Sequence, residues 1–275
     1  MQRLTTLVIA LLALTLGSAA AQADTRTDQR LDDSRQIFES FTFLTEQSIP
    51  GWLLERAYGI VVVPRVIKGA LGIGGRGGRG VMSVRNPDGT WSYPVFVTLA
   101  GVNIGLQWGV QSTDLVLVLM SRRSVEGIAG GKFTLGADAS VAAGPMGRSA
   151  TAATDVMLKA QVLSYSRNEG IFLGVALDGT VISIDDGANA SAYGMSGILP
   201  SQVLDGKVSA PPGAQAFTAS LNKATRGSAA AAPAAGTPAP VPVPAQEAAS
   251  PVEEPTDGAT TYPMEDPEPG APPPP

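Results

Sequence analysis

The chain has 275 residues and contains neither cysteine nor histidine. Disulfides, thiolate nucleophiles, Cys/His zinc sites and His-based triads are therefore excluded, so any catalysis would depend on carboxylates, Lys, Tyr or Ser. The net charge of −5 is unevenly distributed, because acids and bases balance over residues 24–223 and the acidic excess lies in residues 224–275. Overall charge alone consequently says little about partners.

The first residues have the pattern of a secretory leader. Arg3 precedes an apolar run from Leu4 to Leu16, and small residues follow up to Ala23. The apolar run is short for a bilayer span, and cleavage after Ala23 fits the small-residue rule. We expect residues 1–23 to be a signal peptide and the product to be periplasmic or secreted, with an uncleaved anchor as the alternative. No Cys follows the cleavage site, which excludes a bacterial lipoprotein anchor.

Two helices are predicted before the first strand. Apolar residues at helical spacing predict a helix from Asp28 to Gln47, with acids in its first turns. Its polar face is acidic, which favours a helix that covers a sheet over one that lies on a membrane. A second helix is predicted to begin around Ser48–Pro50 and to end at Ala57.

The middle of the chain predicts strands. The β-branched run Ile60–Val63 begins a buried strand. Val81–Arg85 and Thr90–Thr98 predict a hairpin, because Asn86–Gly89 between them places Pro, Asp and Gly at turn positions. The apolar run Leu115–Met120 predicts a central strand.

The C-terminal half predicts an antiparallel meander of three strands, with a turn at Asp178–Gly179. Residues 185–200 predict a loop that leads into a helix. Residues 224–275 are rich in Pro, Ala and acids, which predicts a disordered tail and leaves one domain over 24–223. The predicted elements are a helix at Arg122–Gly130, strands at Phe133–Ala142, Val156–Tyr165, Ile171–Leu177 and Thr180–Ile184, and helices at Met195–Leu204 and Ala214–Lys223.

The stretch Gly59–Val110 combines strand residues with glycine loops that carry positive charge. From Arg56 to Pro87 there are Arg and Lys residues but no acid. Flexible backbone with unopposed positive charge suits an anionic headgroup, while exposed aromatic or apolar side chains would add insertion. The alternative is that these cations pair with acids elsewhere in the domain. The candidate lipid-binding residues are Arg65, Lys68, Arg76, Arg79, Arg85, Trp52 and Trp91, with Leu71 as a further apolar candidate.

Other motifs are weaker. Gly72–Gly77 matches a dinucleotide fingerprint, but a strand rather than a helix is predicted after it. Arg76–Gly80 resembles one RGG element, and a single copy does not predict nucleic-acid binding. Asp178, Asp185 and Asp186 lack calcium-loop spacing and suit turns. No catalytic constellation, metal site or cofactor is predicted, although Asp138 and Asp155 could in principle form an acid/base pair.

Several motifs occur in order along the chain: Ala57–Ile60, the glycine-rich run to Gly80, Asp88–Pro94, Gly105–Gly109, Gly136–Ser140, Gly144–Arg148, Tyr165–Gly174 and Asn189–Gly194. Together they resemble the SYLF, or Ysc84-like, domain family over about Asp32 to Leu221. Eukaryotic members bind phosphoinositides and some bind actin filaments, whereas bacterial members are exported, so the resemblance implies a general lipid-binding role. It also implies that the family's basic surface corresponds to Arg65, Lys68, Arg76, Arg79 and Arg85.

These observations predict an α+β domain with a largely antiparallel, glycine-rich sheet, open or curled into a partial barrel, and with N- and C-terminal helices. The predicted function is a non-enzymatic, exported module that binds an anionic phospholipid or membrane surface. One rival is a structural or protein-interaction component of the bacterial cell envelope. The other is a hydrolase that uses carboxylates.

Overall fold

The computed structural model describes residues 25–43, 48–145, 159–168, 171–173 and 177–231. The predicted leader, the tail beyond Ala231, Leu44 and Asp155 lie outside these ranges. The helices are α1 (25–42), α2 (Gly51–Arg56), α3 (Arg122–Ala129), α4 (Asp186–Tyr193), α5 (Pro200–Leu204) and α6 (Pro212–Ala231). The strands are β1 (Gly59–Val84), β2 (Val95–Leu119), β3 (Lys132–Thr134), β4 (Val141–Ala143), β5 (Val162–Asn168), β6 (Ile171–Leu173) and β7 (Thr180–Ile184).

The predicted α+β class is confirmed. The described strands form one seven-stranded sheet in the order β3-β7-β2-β5-β4, with β1 paired to β2 and β6 paired to β5. Every pairing is antiparallel except that of β4 with β5. The sheet curls into a half-barrel with helices at both ends of the domain. Among the described residues, no helix combines the length and hydropathy needed to cross a membrane.

The glycine-rich stretch is strand rather than loop, which corrects the sequence interpretation. β1 and β2 form one long antiparallel ribbon, whose register runs from Gly59 opposite Leu119 to Met82 opposite Val95. The turn at Asn86–Gly89 is confirmed, since the Gly89 amide donates to the Asn86 carbonyl at 3.0 Å and Gly89 has φ +83°. Strand pairing satisfies the glycine backbone even though glycine has a low strand propensity.

Glycines allow the ribbon to fold back on itself. A Cβ at Gly80 would lie 2.0 Å from the Val62 carbonyl oxygen, and a Cβ at Gly78 would lie 2.6 Å from a Val63 methyl carbon. Val62 lies near the start of β1 and Gly80 near its end, and we call these two parts of the strand its first and second arms. At this point the backbones of the two arms are in direct contact. β5 pairs with β2 beside the first arm, and β7 pairs with β2 beside the second.

The terminal helices close the core. Leu31, Phe38 and Phe41 of α1 are buried, and the Phe38 ring meets Phe217 of α6 edge-on with centroids 6.4 Å apart. This burial agrees with the prediction of a helix that covers the sheet. α6 continues past the boundary predicted at residue 224, because the alanines there are strong helix formers.

Three predicted elements are wrong. Phe133–Ala142 is two short strands rather than one, because residues 135–139 turn and the Thr134 amide donates to Asp138 at 2.6 Å. The third strand of the predicted meander is misplaced: β6 pairs antiparallel with β5 as predicted, but within the described residues β7 pairs with β2 and β3 and not with β6. The loop predicted after residue 185 contains α4, whose first turn is capped by Asp185 accepting from the Ala188 amide.

Two further boundaries differ from the sequence prediction. Of the strand predicted at Val156–Tyr165, residues 156–158 lie outside the described residues; β5 begins at Val162 and continues to Asn168. The helix predicted at Met195–Leu204 begins only at Pro200, because Gly194 and Gly197 adopt positive φ between α4 and α5.

Two tyrosines anchor proline-containing turns within the core. The Tyr193 hydroxyl donates to the Pro94 carbonyl at 2.6 Å, and the Tyr165 hydroxyl donates to the Pro145 carbonyl at 3.2 Å. Tyr165 also covers Gly144, where a Cβ would lie 2.1 Å from its ring. Burial raises the pKa of both phenols above the ordinary value of 10.0.

We expect Gly80→Ala to lower the free energy of unfolding by at least about 2 kcal/mol, because the new methyl group would overlap the Val62 carbonyl. Urea denaturation measures the change. Gly77→Ala is the matched control, since its Cβ would lie 3.8 Å from the nearest backbone atom. Equal stabilities of the two variants would contradict the fold-back of β1.

We expect stability to fall as the pH rises above 10. The unfolded tyrosines lose their protons near pH 10, whereas buried Tyr165 and Tyr193 keep theirs to higher pH. Well below pH 10 the two buried phenols contribute their full stabilisation. At pH 11, ionisation of each of these tyrosines in the unfolded chain has lowered the free energy of unfolding by about 1.4 kcal/mol. Between pH 9 and 11, the free energy of unfolding of Tyr193→Phe should fall by about 1.4 kcal/mol less than that of the unmodified protein, as measured by denaturation. The same pH dependence in Tyr193→Phe as in the unmodified protein would contradict this expectation.

Candidate functional site: an arginine cleft

Two of the predicted cations, Arg65 and Arg79, meet in a cleft of about 600 Å³. The cleft lies between α1 and the two arms of β1. We call it the arginine cleft, because four arginines line it and Asp33 is the carboxylate among the residues found there. It is lined by Arg26, Gln29, Arg30, Asp33, Pro64, Arg65, Ile67, Gly77, Gly78, Arg79, Thr98 and Leu99.

Arg65 reaches the cleft from an irregular point in β1. The register with β2 shifts between Val63 and Val66, and Arg65 has φ +47° there. The Arg65 amide donates to Asp114 at 3.1 Å, and its guanidinium forms an ion pair with Asp33 of α1. Such positive φ is unusual for a residue other than glycine, and here the surrounding contacts hold it in place. The alternative prediction, that these cations pair with acids elsewhere in the domain, is therefore correct for Arg65.

Arg76 and Arg79 lie on opposite faces of β1, because side chains alternate along a strand. Arg79 is opposite Thr98 on the outer face, is exposed, and forms no ion pair within the described part of the chain. Arg76 is opposite Gly101 on the inner face and is half-buried. Desolvation lowers the pKa of Arg76, and the charge of Asp178 partly opposes this. The structure therefore separates two arginines that the glycine-rich motif seemed to group.

Two cleft residues were missed by the sequence prediction. Arg26 and Arg30 are four residues apart on α1, which places them on one helix face. Arg30 forms an ion pair with Asp185 at 2.9 Å and lies over the Phe96 ring at 5.3 Å. Arg26 is exposed and forms no ion pair within the described residues. Helical spacing could have grouped these two arginines, but nothing in the sequence places them beside β1.

Exposed apolar side chains accompany the cleft. Ile67, which lines it, is 47% exposed, and Val102 is 73% exposed. Val102 is opposite Gly75, and Arg79 is opposite Thr98. Because side chains alternate along a strand and opposite residues share a face, the side chains of Val102 and Arg79 both lie on the outer face of the ribbon. Positive charge and exposed apolar surface are thus combined on one side of the half-barrel.

The remaining predicted residues lie outside the arginine cleft. Lys68 is half-exposed on β1 and forms no ion pair among the described residues. Trp91 is 3% exposed, so the expectation that it offers an exposed insertion surface is wrong. It is covered by the Arg85 guanidinium, 4.8 Å from its ring. Trp52 is partly buried and lines a separate recess with Arg85. The side chain of Leu71 is not described.

Several carboxylates among the described residues have structural roles. Asp185 caps α4 and binds Arg30, while Asp138 accepts from the Thr134 amide. No group of three or more potential metal ligands occurs within the described ranges. The pair proposed for Asp138 and Asp155 remains untested because Asp155 lies outside them.

Comparison with known proteins identifies related sequences. The Ysc84 family model, described as a Las17-binding protein actin regulator, matches residues 100–224. Protein YSC84 of Saccharomyces cerevisiae is 38% identical over 175 residues, covering 62% of this chain and 37% of that protein. LAS seventeen-binding protein 3 of the same species is 36% identical over 173 residues, with the same coverage.

An animal protein shows the same similarity. SH3 domain-containing YSC84-like protein 1 of Rattus norvegicus is 33% identical over 196 residues, covering 69% of this chain and 57% of that protein. The chain therefore spans between about a third and three fifths of the length of these relatives. The resemblance inferred from the motifs is confirmed.

The two ion pairs at the cleft should differ in energetic weight. Asp33→Asn should lower the free energy of unfolding by at most about 1 kcal/mol, because the side chain of its partner Arg65 is 63% exposed. Asp185→Ala should cost about 2–4 kcal/mol, because it leaves Arg30 unpaired at 12% exposure and removes the cap of α4. Urea denaturation of both variants tests this, and a larger loss for Asp33→Asn would contradict it.

Proposed function

Since this chain carries a domain of the Ysc84 (SYLF) family, we propose that it is a non-enzymatic module that binds anionic membrane surfaces through the arginine cleft. The observation that supports this most is the pair Arg26 and Arg79, which line one cleft without ion pairs in the described part of the chain. Arg30 and Arg65 have carboxylate partners, so they position the cleft walls.

The energetics require both charge and apolar contact. A basic residue near an anionic membrane contributes about 1 kcal/mol, so Arg26 and Arg79 together supply about 2 kcal/mol. This corresponds to weak binding. Burial of an aliphatic side chain such as Val102 or Ile67 adds about 1.5–3 kcal/mol when complete. We therefore infer that the outer face of the ribbon contacts the headgroups while Val102 enters the interface.

The site of action follows from the leader. We propose that residues 1–23 direct export and are removed after Ala23, so that the domain acts in the periplasm or outside the cell. Mass measurement of the protein recovered from the exported fraction tests this proposal. A mass that includes residues 1–23 would contradict it.

A second candidate function is interaction with another protein. One yeast relative is named for binding LAS seventeen, and this chain exposes apolar side chains away from the arginine cleft. Met195 is 44% exposed and Leu199 is 59% exposed, in the segment that joins α4 to α5. A structural or interaction role in a cell envelope would use this segment rather than the arginines.

Sedimentation with vesicles tests the membrane proposal. The protein should sediment with vesicles of phosphatidylglycerol and phosphatidylcholine, but not with phosphatidylcholine alone, and binding should weaken as salt increases. Arg26→Glu with Arg79→Glu should weaken binding at least about tenfold, since attraction becomes repulsion at two positions. Val102→Asn should weaken it without adding a charge to the outer face.

Arg123→Glu is the matched control for each single substitution, Arg26→Glu or Arg79→Glu, because it makes the same charge change at an exposed position on α3 outside the cleft. It should sediment almost as the unmodified protein does. Equal losses for Arg123→Glu and for either cleft arginine would show that only net charge matters. Unchanged vesicle binding of the variant that carries both Arg26→Glu and Arg79→Glu would overturn the membrane proposal. If the protein instead binds another protein and Leu199→Asp abolishes that binding, the second candidate function is supported.

A further inference from the structure

A second recess of about 700 Å³ lies where α2 meets the start of β1, the end of β2 and residues 159–163. It shares no lining residue with the arginine cleft. We call it the aromatic recess, after Trp52 and Tyr58. Its lining consists of Trp52, Leu53, Glu55, Arg56, Ala57, Tyr58, Arg85, Met120, Lys159, Ala160, Gln161 and Leu163.

The inner wall of the aromatic recess is apolar. Leu53, Ala57 and Leu163 are each 1% exposed, and they offer hydrocarbon surface to the recess. Trp52 is partly buried, while Tyr58 is 42% exposed. Recesses of several hundred cubic ångströms with apolar walls and a few polar groups are typical of small-molecule sites.

Positive charge is concentrated at the same recess. Arg56, Arg85 and Lys159 line it, and Glu55 is the acid among its lining residues. Arg56 is exposed and forms no ion pair in the described ranges. Outside the lining, Arg122 lies 5.9 Å from the Tyr58 ring and adds further positive charge.

Arg85 supplies a fixed charge. Its guanidinium donates to the carbonyls of Leu54 at 2.7 Å, Ala57 at 3.1 Å and Gly89 at 3.0 Å. It forms no ion pair among the described residues, and desolvation lowers its pKa. Carbonyl dipoles satisfy its donors without cancelling its charge, so the recess keeps a positive potential beside an apolar wall.

We propose that the aromatic recess binds a single-chain amphiphilic carboxylate, such as a medium-chain fatty acid. The alkyl chain would pack against Leu53, Met120 and Leu163, and the carboxylate would face Arg56 and Lys159. A neutral alcohol of the same length would lose the charged contact, while a short carboxylate would lose the apolar one. This site is independent of membrane binding by the arginine cleft.

Calorimetric titration of the purified full chain with decanoate, below its micelle concentration, tests the proposal. We expect saturable binding of one decanoate, with decanol and acetate binding at least about tenfold more weakly. Arg56→Gln and Lys159→Gln should each weaken decanoate binding about tenfold, because each removes a charge-assisted contact. Arg79→Gln is the matched control in the other cleft and should leave decanoate binding unchanged.

Trp52 provides a second measurement that does not depend on the charge variants. A bromine-labelled undecanoate should quench part of the tryptophan fluorescence, and Trp52→Phe should abolish that component. Thermal unfolding of each variant confirms that it is folded. Non-saturable uptake, equal weakening by Arg79→Gln, or quenching that survives Trp52→Phe would overturn the proposal. If the unmodified protein binds decanoate but does not sediment with anionic vesicles, only the membrane proposal is overturned.

Discussion

The architecture depends on one steric constraint, the contact between the two arms of β1. Val62 and Gly80 meet at a distance that admits no side chain at residue 80. A single ribbon can therefore serve two parts of the sheet, with β5 beside one arm and β7 beside the other. The arginine cleft lies at the same place, since Pro64 and Arg65 come from one arm and Gly78 and Arg79 from the other. The fold-back thus forms both the core and the candidate site.

Much of the fold could be predicted from local signals. The turn at Asn86–Gly89 and the helix at Arg122–Ala129 follow from turn chemistry, capping and apolar spacing. The central part of β1 could not, because glycine has a low strand propensity and this part is strand only through its long-range pairing with β2. The partners of β7 also depend on long-range pairing that a local pattern does not contain. Local chemistry thus located the turns, whereas steric fit between distant segments decided the topology.

The candidate site was partly predictable for a related reason. Strand alternation separates Arg76 from Arg79 once the stretch is known to be strand. Balanced charge over the domain indicated that some cations are paired, but not which ones. The pairs Arg65–Asp33 and Arg30–Asp185 join residues far apart in the chain. After these pairings, the positive charge available to a ligand in the arginine cleft is that of Arg26 and Arg79, which form no ion pairs among the described residues.

The long ribbon also has a kinetic consequence. Its register joins Gly59 to Leu119, and in the folded chain the first arm contacts the second. Contacts between residues distant in sequence must be closed against chain entropy before they stabilise anything. We therefore expect folding to begin at the Asn86–Gly89 turn, to extend outward along the ribbon and to finish with arm closure. This order makes the chain a slow folder, with the arginine cleft assembled last.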